Sequence, residues 1–212
     1  MTDTSKPAIG NISEQPLVSL DVVPVRLNKE TLAIEIGTSR RIFEPFLGEL
    51  ALPGVLLAPG ESLIQGSVRA LEVKSGLKPG LLRQIGAFDG SNRDPRGASI
   101  SIAFLSIQDE DSNTEKVEWS EKISLLPFDH SSIVSGAMKR LSELMWNDIE
   151  LTKAILGDAF TTAEVLAVKS PTPNLTNASR WLRTWGLVEP ITVVKKDKKT
   201  GRGRPSTMWR WK

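Results

Sequence analysis

The chain has 212 residues, of which 40% are hydrophobic and 25% charged, and a formal net charge of +2. This composition is that of a soluble folded protein, with room for one large domain or two small ones at about 100–200 residues each. No run approaches about 18 uncharged apolar residues, which excludes a membrane-spanning helix. Cysteine is absent and His130 is the single histidine. Disulfides, thiolate zinc sites, a thiol nucleophile and a multi-histidine metal site are therefore excluded, and a reducing cytoplasm is the expected location.

Residues 1–15 are polar and read as a disordered leader. Leu17 to Leu27, rich in Val and Leu, and the alternating stretch Thr31 to Ile36 read as strands joined by a turn at Asn28-Lys29-Glu30. Arg40 to Gly48 reads as a loop. Glu49 to Leu57 reads as a strand interrupted at Pro53-Gly54, and Pro59-Gly60 as a turn. Ser62, with Gln65 three residues on, fits a capping box that opens a helix presenting Leu63, Val68 and Leu71, with Gly76 as its stop. Leu82 to Phe88 and Ser99 to Ile107 read as strands flanking the polar loop Asp89 to Gly97. An acidic turn from Asp109 to Glu115 precedes a further strand, Val117 to Leu126. Ser131 to Asn147 reads as an amphipathic helix with Ile133, Ala137, Leu141 and Leu144 on one side.

The last section changes in rhythm and in charge. Residues 160–212 carry 11 Lys and Arg against 3 Asp and Glu, while the rest of the chain carries 16 against 22. A basic end on an acidic body points to a polyanionic partner. A solubilising tail would show the same charge, but Trp181, Trp185, Trp209 and Trp211 in the same stretch speak for a folded unit. Thr161 or Thr162 caps a short helix through Val168. A turn follows at Ser170 to Pro173. Asn174 or Thr176 caps a second helix through Trp185, ended by Gly186. Leu187 to Val194, a basic glycine-containing loop from Lys195 to Ser206, and Thr207 to Trp211 complete the order helix, turn, helix, strand, loop, strand. That is the order of a winged helix-turn-helix.

On the second helix Asn177, Arg180 and Arg183 are three apart and share a face, with Thr176 near its start. Arg suits guanine edges, Asn adenine edges and Thr a phosphate or a thymine methyl, so this face reads as a DNA-recognition surface; a solvated polar face looks similar. In the loop, Lys195, Lys196, Lys198 and Lys199 suit phosphate neutralisation. Arg202 and Arg204, set among glycines, suit a wing tip that enters the minor groove.

The stretch Pro53-Gly54-Val55, Gly60-Glu61 and Arg69-Ala70-Leu71-Glu72-Val73-Lys74-Ser75-Gly76-Leu77 resembles the Nudix box. Aligned on Glu61, it keeps Glu61, Arg69, Leu71, Gly76 and Leu77, but the helix glutamates of the family pattern fall on Ala70, Val73 and Lys74. In Nudix hydrolases those carboxylates hold Mg²⁺, which needs hard oxygen ligands in near-octahedral array. Ala70 and Val73 supply none, and Lys74 puts an ammonium where the dication belongs. Glu72 lies about 100° around the helix from Val73 and about 200° from Ala70 and Lys74. No catalytic residue, no metal and no cofactor are therefore expected. Glu61 and Arg69 read as structural partners or as ligand contacts. The run Arg93-Asp94-Pro95-Arg96-Gly97 before a strand is similar to one in ADP-ribose-type Nudix domains. Arginine forks suit phosphates, with Arg93 the stronger ligand candidate, while a strand-tying role for Asp94 and Arg96 is equally open. Arg40 and Arg41 form another pair near the same edge, as ligand groups or as a solvated loop.

Gly-Arg-Gly-Arg-Pro-Ser followed by Met208-Trp209-Arg210-Trp211 resembles the wing and last strand of Nudix-related transcriptional regulators of the NrtR type, as do Phe160-Thr161 and Gly186-Leu187-Val188-Glu189-Pro190. This resemblance covers about residues 17–212. It implies an α+β protein: a Nudix-like α/β/α sandwich with a mixed sheet (residues 16–150), then a winged helix-turn-helix (151–212). The implied protein is a homodimeric, ligand-responsive repressor that binds a palindromic double-stranded DNA operator. Its implied effector is ADP-ribose or a related NAD or sugar metabolite, held by residues drawn from Arg40, Arg41, Glu61, Arg69, Lys74, Arg93 and Arg96. A nucleotide hydrolase using carboxylates outside the box, and a ligand-blind DNA-binding adaptor, are the competing readings.

Overall fold

The computed structural model describes residues 15–90, 92–168, 175–191 and 207–212, with the side chains of 175 and 176 left aside. Strand β1 (Leu17–Asn28) is the spine of the first half. Its parallel partner is β6 (Ser99–Ile107), in register from Leu17↔Ser99 to Val25↔Ile107. Its other edge is shared. β4 (Gly54–Leu56) pairs antiparallel with its beginning, and β2 (Ala33–Arg40) with its end. β3 (Leu50–Ala51) and β7 (Val117–Ser120) both join β2, and β5 (Leu81–Phe88) closes the far side on β6. The result is a mixed seven-stranded sheet.

Alternation along the central strands sorts residues to two faces. Leu20 and Val22 of β1 and Phe104 of β6 pack beneath helix α1 (Leu63–Ala70) with Ala70, Leu71 and Leu77. Val23, Val25, Ala103, Leu105 and Ile107 face the other way, against Ile133, Ala137 and Leu141 of α2 (His130–Leu144). Ser62 caps α1 through the expected capping box. The helix then loosens into a π-helical turn, Leu71–Ser75, and Gly76, at φ 68°, ends it. No sequence signal announced the π turn.

Two expected spans are corrected. The strand expected from Val117 to Leu126 stops at Ser120, and Ser120 Oγ instead donates to the Lys122 carbonyl (2.7 Å) in a turn. The helix expected from Ser131 to Asn147 runs from His130 to Leu144, because Met145 leaves helical geometry and Trp146 takes φ 71°. Two elements were not expected at all. Helix α3 (Ile149–Leu156) is capped by Asp148, whose carboxylate accepts from the Leu151 N–H (3.0 Å), and β8 (Ala159–Thr161) follows it. α3 buries Leu151, Ile155 and Leu156 and packs on β1 and β6.

The second half is α4 (Thr162–Val168), α5 (Leu175–Trp185), β9 (Val188–Ile191) and β10 (Met208–Trp211), with a three-stranded antiparallel sheet ordered β8-β10-β9. Thr161 and Glu164 cap α4 reciprocally, each accepting the other's backbone N–H. From α3 onward the chain runs helix, strand, two helices and two antiparallel strands, one helix and one strand more than the expected order. Phe160, Val165, Leu182 and Trp209 belong to the same buried cluster as Val23 and Leu105. One apolar core thus runs through both halves.

Candidate functional site

β1 carries an acid into its buried face. Asp21 has the same orientation as Val23 and Val25, and is only 4% exposed. The chain surrounds it with polar groups from the same ends of both central strands. Ser101 Oγ donates to its Oδ2 (2.6 Å), and His130 Nε2 lies 3.5 Å from its Oδ1. His130 Nδ1 accepts the Leu52 N–H (3.1 Å), so its remaining proton sits at Nε2, facing the carboxylate. Arg93 enters from the β5–β6 loop. Its Nε and Nη2 donate to Asp129 (3.0 and 2.9 Å), Nη2 also to Asp21 (3.4 Å), and Nη1 to Ser99 (3.0 Å) and Ser19 (3.5 Å). Asp129 leads directly into α2, yet it makes no cap; its carboxylate is spent on Arg93. Gly54 is glycine for the same reason, since a Cβ there would run into Asp21 Oδ1.

Burial by itself would raise the Asp21 carboxyl. The hydrogen bond from His130, the Ser101 hydroxyl and the Arg93 guanidinium outweigh it and hold the group at about 2. Its ordinary value is 3.8, so the stabilisation is complete above that pH and is lost as pH falls towards 2. Between about pH 4 and about pH 2 the wild type should therefore lose about 2 kcal/mol more than Asp21→Asn, read from urea unfolding. Parallel acid profiles for the two proteins would contradict the network.

The network floors a cavity of about 370 Å³, lined among others by Arg41, Phe43, Arg69, Lys74, Arg96 and Phe128. A second cavity of about 380 Å³ adjoins it and shares Arg41, Phe43, Leu52, Gly54 and Lys74. Glu61 and Arg69 form a two-pronged pair, Nε–Oε1 and Nη2–Oε2 both 2.7 Å; Glu61 also accepts the Ala58 N–H, and Arg69 reaches the Leu56 carbonyl. Arg69 and the Ala58 amide together hold the Glu61 carboxyl at about 2. Arg96 pairs with Asp94 in the same forked way, within the loop. Arg40 turns to Glu118 (2.9 Å) and the Gly48 carbonyl, and lines the second cavity alone. Arg41 donates to the Pro45 and Phe43 carbonyls and lies 4.8 Å over the Phe128 ring. Lys74 lies 5.8 Å from the Phe43 ring centroid. Phe46 and Phe128, in edge contact beside the first cavity, both hold positive φ (67° and 58°), the kind of backbone strain that concentrates at binding sites.

Of the expected ligand residues, Arg41, Arg69, Lys74, Arg93 and Arg96 thus line one cavity, Arg40 its neighbour, and Glu61 braces Arg69 from behind. Asp21, His130, Asp129 and the serines were missed. An acid within the Leu- and Val-rich β1 was the available signal, since unpaired acids are almost never buried.

The second candidate surface is on α5. Asn177, Arg180 and Arg183 are exposed, Leu182 is fully buried, and Trp181 and Trp185 are half-buried against Trp146 (centroids 4.9 and 5.4 Å). The Thr176 side chain, and Lys195, Lys196, Lys198, Lys199, Arg202 and Arg204, lie outside the described residues.

No family model matches the chain. An ADP-ribose pyrophosphatase of Methanocaldococcus jannaschii is 30% identical over 132 residues, 58% of this chain and 74% of that protein. The chain belongs to the Nudix family. An ADPR-responsive transcriptional repressor, NtrR, of Acinetobacter baylyi is 27% identical over 139 residues, 60% of this chain; the match spans only 55% of the repressor. The Shewanella oneidensis NrtR structure, solved with a 27mer DNA, superimposes with a TM-score of 0.71 at 22% identity, covering 92% of this chain and 93% of that one. The fold likeness therefore extends through both halves.

The Nudix box of this chain can be tested for the Mg²⁺ its family implies. Ala70 is fully buried, Val73 is exposed, Lys74 brings a positive charge into the cavity, and Glu61 is committed to Arg69. Among the described residues no three acidic or histidine side chains converge as a metal site. The donor set does not fit the ion.

Proposed function

We propose that this Nudix protein is a homodimeric transcriptional repressor whose first half binds a small effector without hydrolysing it and whose second half binds a palindromic DNA operator. One observation carries the reading: a Nudix cleft with its metal-ligand positions replaced by Ala70, Val73 and Lys74 continues, through a shared core, into a second unit, read here as a winged helix, that exposes Asn177, Arg180 and Arg183. The likeness to NrtR and NtrR supports DNA as partner. The relatives named for ADP-ribose support that compound, or a related NAD or sugar metabolite, as effector. Among the described residues no helix is long and apolar enough to cross a membrane, which agrees with action in the cytoplasm.

Ligand can loosen DNA only by binding the two states unequally. The test is a titration onto DNA from upstream of its own gene at fixed salt, with and without ADP-ribose. Tight, competitor-resistant binding weakened by about 5–150-fold is expected, that being the usual span of allosteric coupling. Arg180→Ala should cost about 1–3 kcal/mol and relax preference at one base position. Sequence-blind, salt-sensitive binding would refute the regulator. The pyrophosphatase relative favours a second reading, hydrolysis of ADP-ribose by carboxylates outside the box. Mg²⁺-dependent release of AMP from ADP-ribose would establish it.

A further inference from the structure

The two cavities meet at a waist, and the waist is cationic. Arg41, Lys74 and Phe43 line both chambers. Phe43 touches both cations: its carbonyl accepts from Arg41 Nη2 (3.4 Å), and its ring stands below the Lys74 ammonium. The other charged groups of the first cavity are already engaged. Arg93 has all five N–H donors on Asp129, Asp21, Ser99 and Ser19, Arg69 is bound to Glu61, and Arg96 to Asp94. Among the described residues Arg41 and Lys74 have no carboxylate at ion-pair distance; Glu44 stands on the rim. The chambers differ. One is floored by the polar Asp21–His130 network; the other is walled by Ile42, Val73 and Ala51 beside Glu115, Lys116 and Glu118. Each, at about 370–380 Å³, is large enough for one small-molecule moiety.

We infer that Arg41 and Lys74 form a metal-independent clamp for the anionic centre of a two-ended diphosphate ester, one end in each chamber, with the Lys74 ammonium supplying the charge that the family's cation would supply. The inference deepens the effector reading above and rests on this cavity being the effector site. It also follows from the misfit of the donor set: a lysine at the box position repels a dication and attracts a phosphate oxygen directly. A phosphate held by protein cations alone requires no ion to be bound first.

The test is calorimetric titration of the full chain with ADP-ribose, and separately with inorganic pyrophosphate, each in EDTA and in Mg²⁺. ADP-ribose affinity should agree within about twofold between the two buffers. Lys74→Ala should weaken it by about tenfold to a hundredfold, the worth of one charge-assisted hydrogen bond, Lys74→Glu more, and Lys74→Arg least. Lys74 is the position to change, since Arg41 also ties its own loop to Phe43 and Pro45. Thermal melting of each variant checks the fold. ADP-ribose binding that needs Mg²⁺, or that ignores Lys74→Ala in a folded variant, overturns the clamp and leaves the effector reading intact. Pyrophosphate binding in EDTA that depends on Lys74, with ADP-ribose silent, upholds the clamp and overturns ADP-ribose as effector. Binding of neither overturns both.

Discussion

Arg93→Ala is expected to lower the unfolding free energy by about 3–5 kcal/mol, because it removes one member of a buried ion cluster and strands the others. Asp21 would keep Ser19, Ser101 and His130 as donors, while the Asp129 carboxylate would lose both of its Arg93 donors. The cost is the desolvation of carboxylates that have lost their cation, and it exceeds the worth of any single hydrogen bond. Lysine should restore only part of it, since an ammonium cannot match the forked pairing with Asp129 while reaching Ser99 and Asp21. Urea unfolding of the three proteins at neutral pH measures this. A loss under about 1 kcal/mol for Arg93→Ala would mean that water already enters the cluster and screens it. The same geometry bears on function. A guanidinium with all its donors placed positions the cavity floor, and a ligand phosphate would have to break the cluster to take it.

Trp209→Ala should be comparably severe, about 3–5 kcal/mol, as for other buried tryptophans cut to alanine. Trp209 is fully buried in the middle of β10, paired in register with Phe160 of β8 and Pro190 of β9. Its indole N–H donates to Thr162 Oγ1 (2.9 Å), the first residue of α4, and Arg183 of α5 lies 5.8 Å over its ring. The substitution therefore opens a cavity where the small sheet and both helices of the second half meet. Because Phe160, Val165, Leu182 and Trp209 belong to one cluster with Val23 and Leu105, the whole chain should still unfold in a single transition, shifted to lower urea. Two separated transitions, with the first half melting at its wild-type midpoint, would show that the shared core does not couple the halves.

How far the molecule was legible depended on the range of the cause. Capping, alternation and turn chemistry act within a few residues. Ser62 and Gln65 marked the start of α1, Gly76 and Gly186 marked helix ends, and the Ser99–Ile107 strand was bounded to the residue. The exposed spacing of Asn177, Arg180 and Arg183 followed from helical period alone. The loss of the metal ligands was equally plain, since Ala70, Val73 and Lys74 are chemical facts that no fold can reverse. α3 had local marks too, Asp148 before it and Gly157 after it, but its burial on β1 and β6 was not among them.

By itself, then, the sequence determined the element order apart from α3, β8 and the π turn, the basic end and the chemistry that the box cannot perform. Tertiary structure alone decided which arginines are spent and which face the cavity. Arg93, Asp21 and Asp129 lie 36 and 72 residues apart, and only the parallel pairing of β1 with β6 sets Asp21 beside Ser101 and under His130. The charge of a guanidinium is a property of the residue. The carboxylate that neutralises it is a property of the fold, because Coulomb attraction between residues far apart in the chain takes effect only after strands and helices have brought them within a few ångströms.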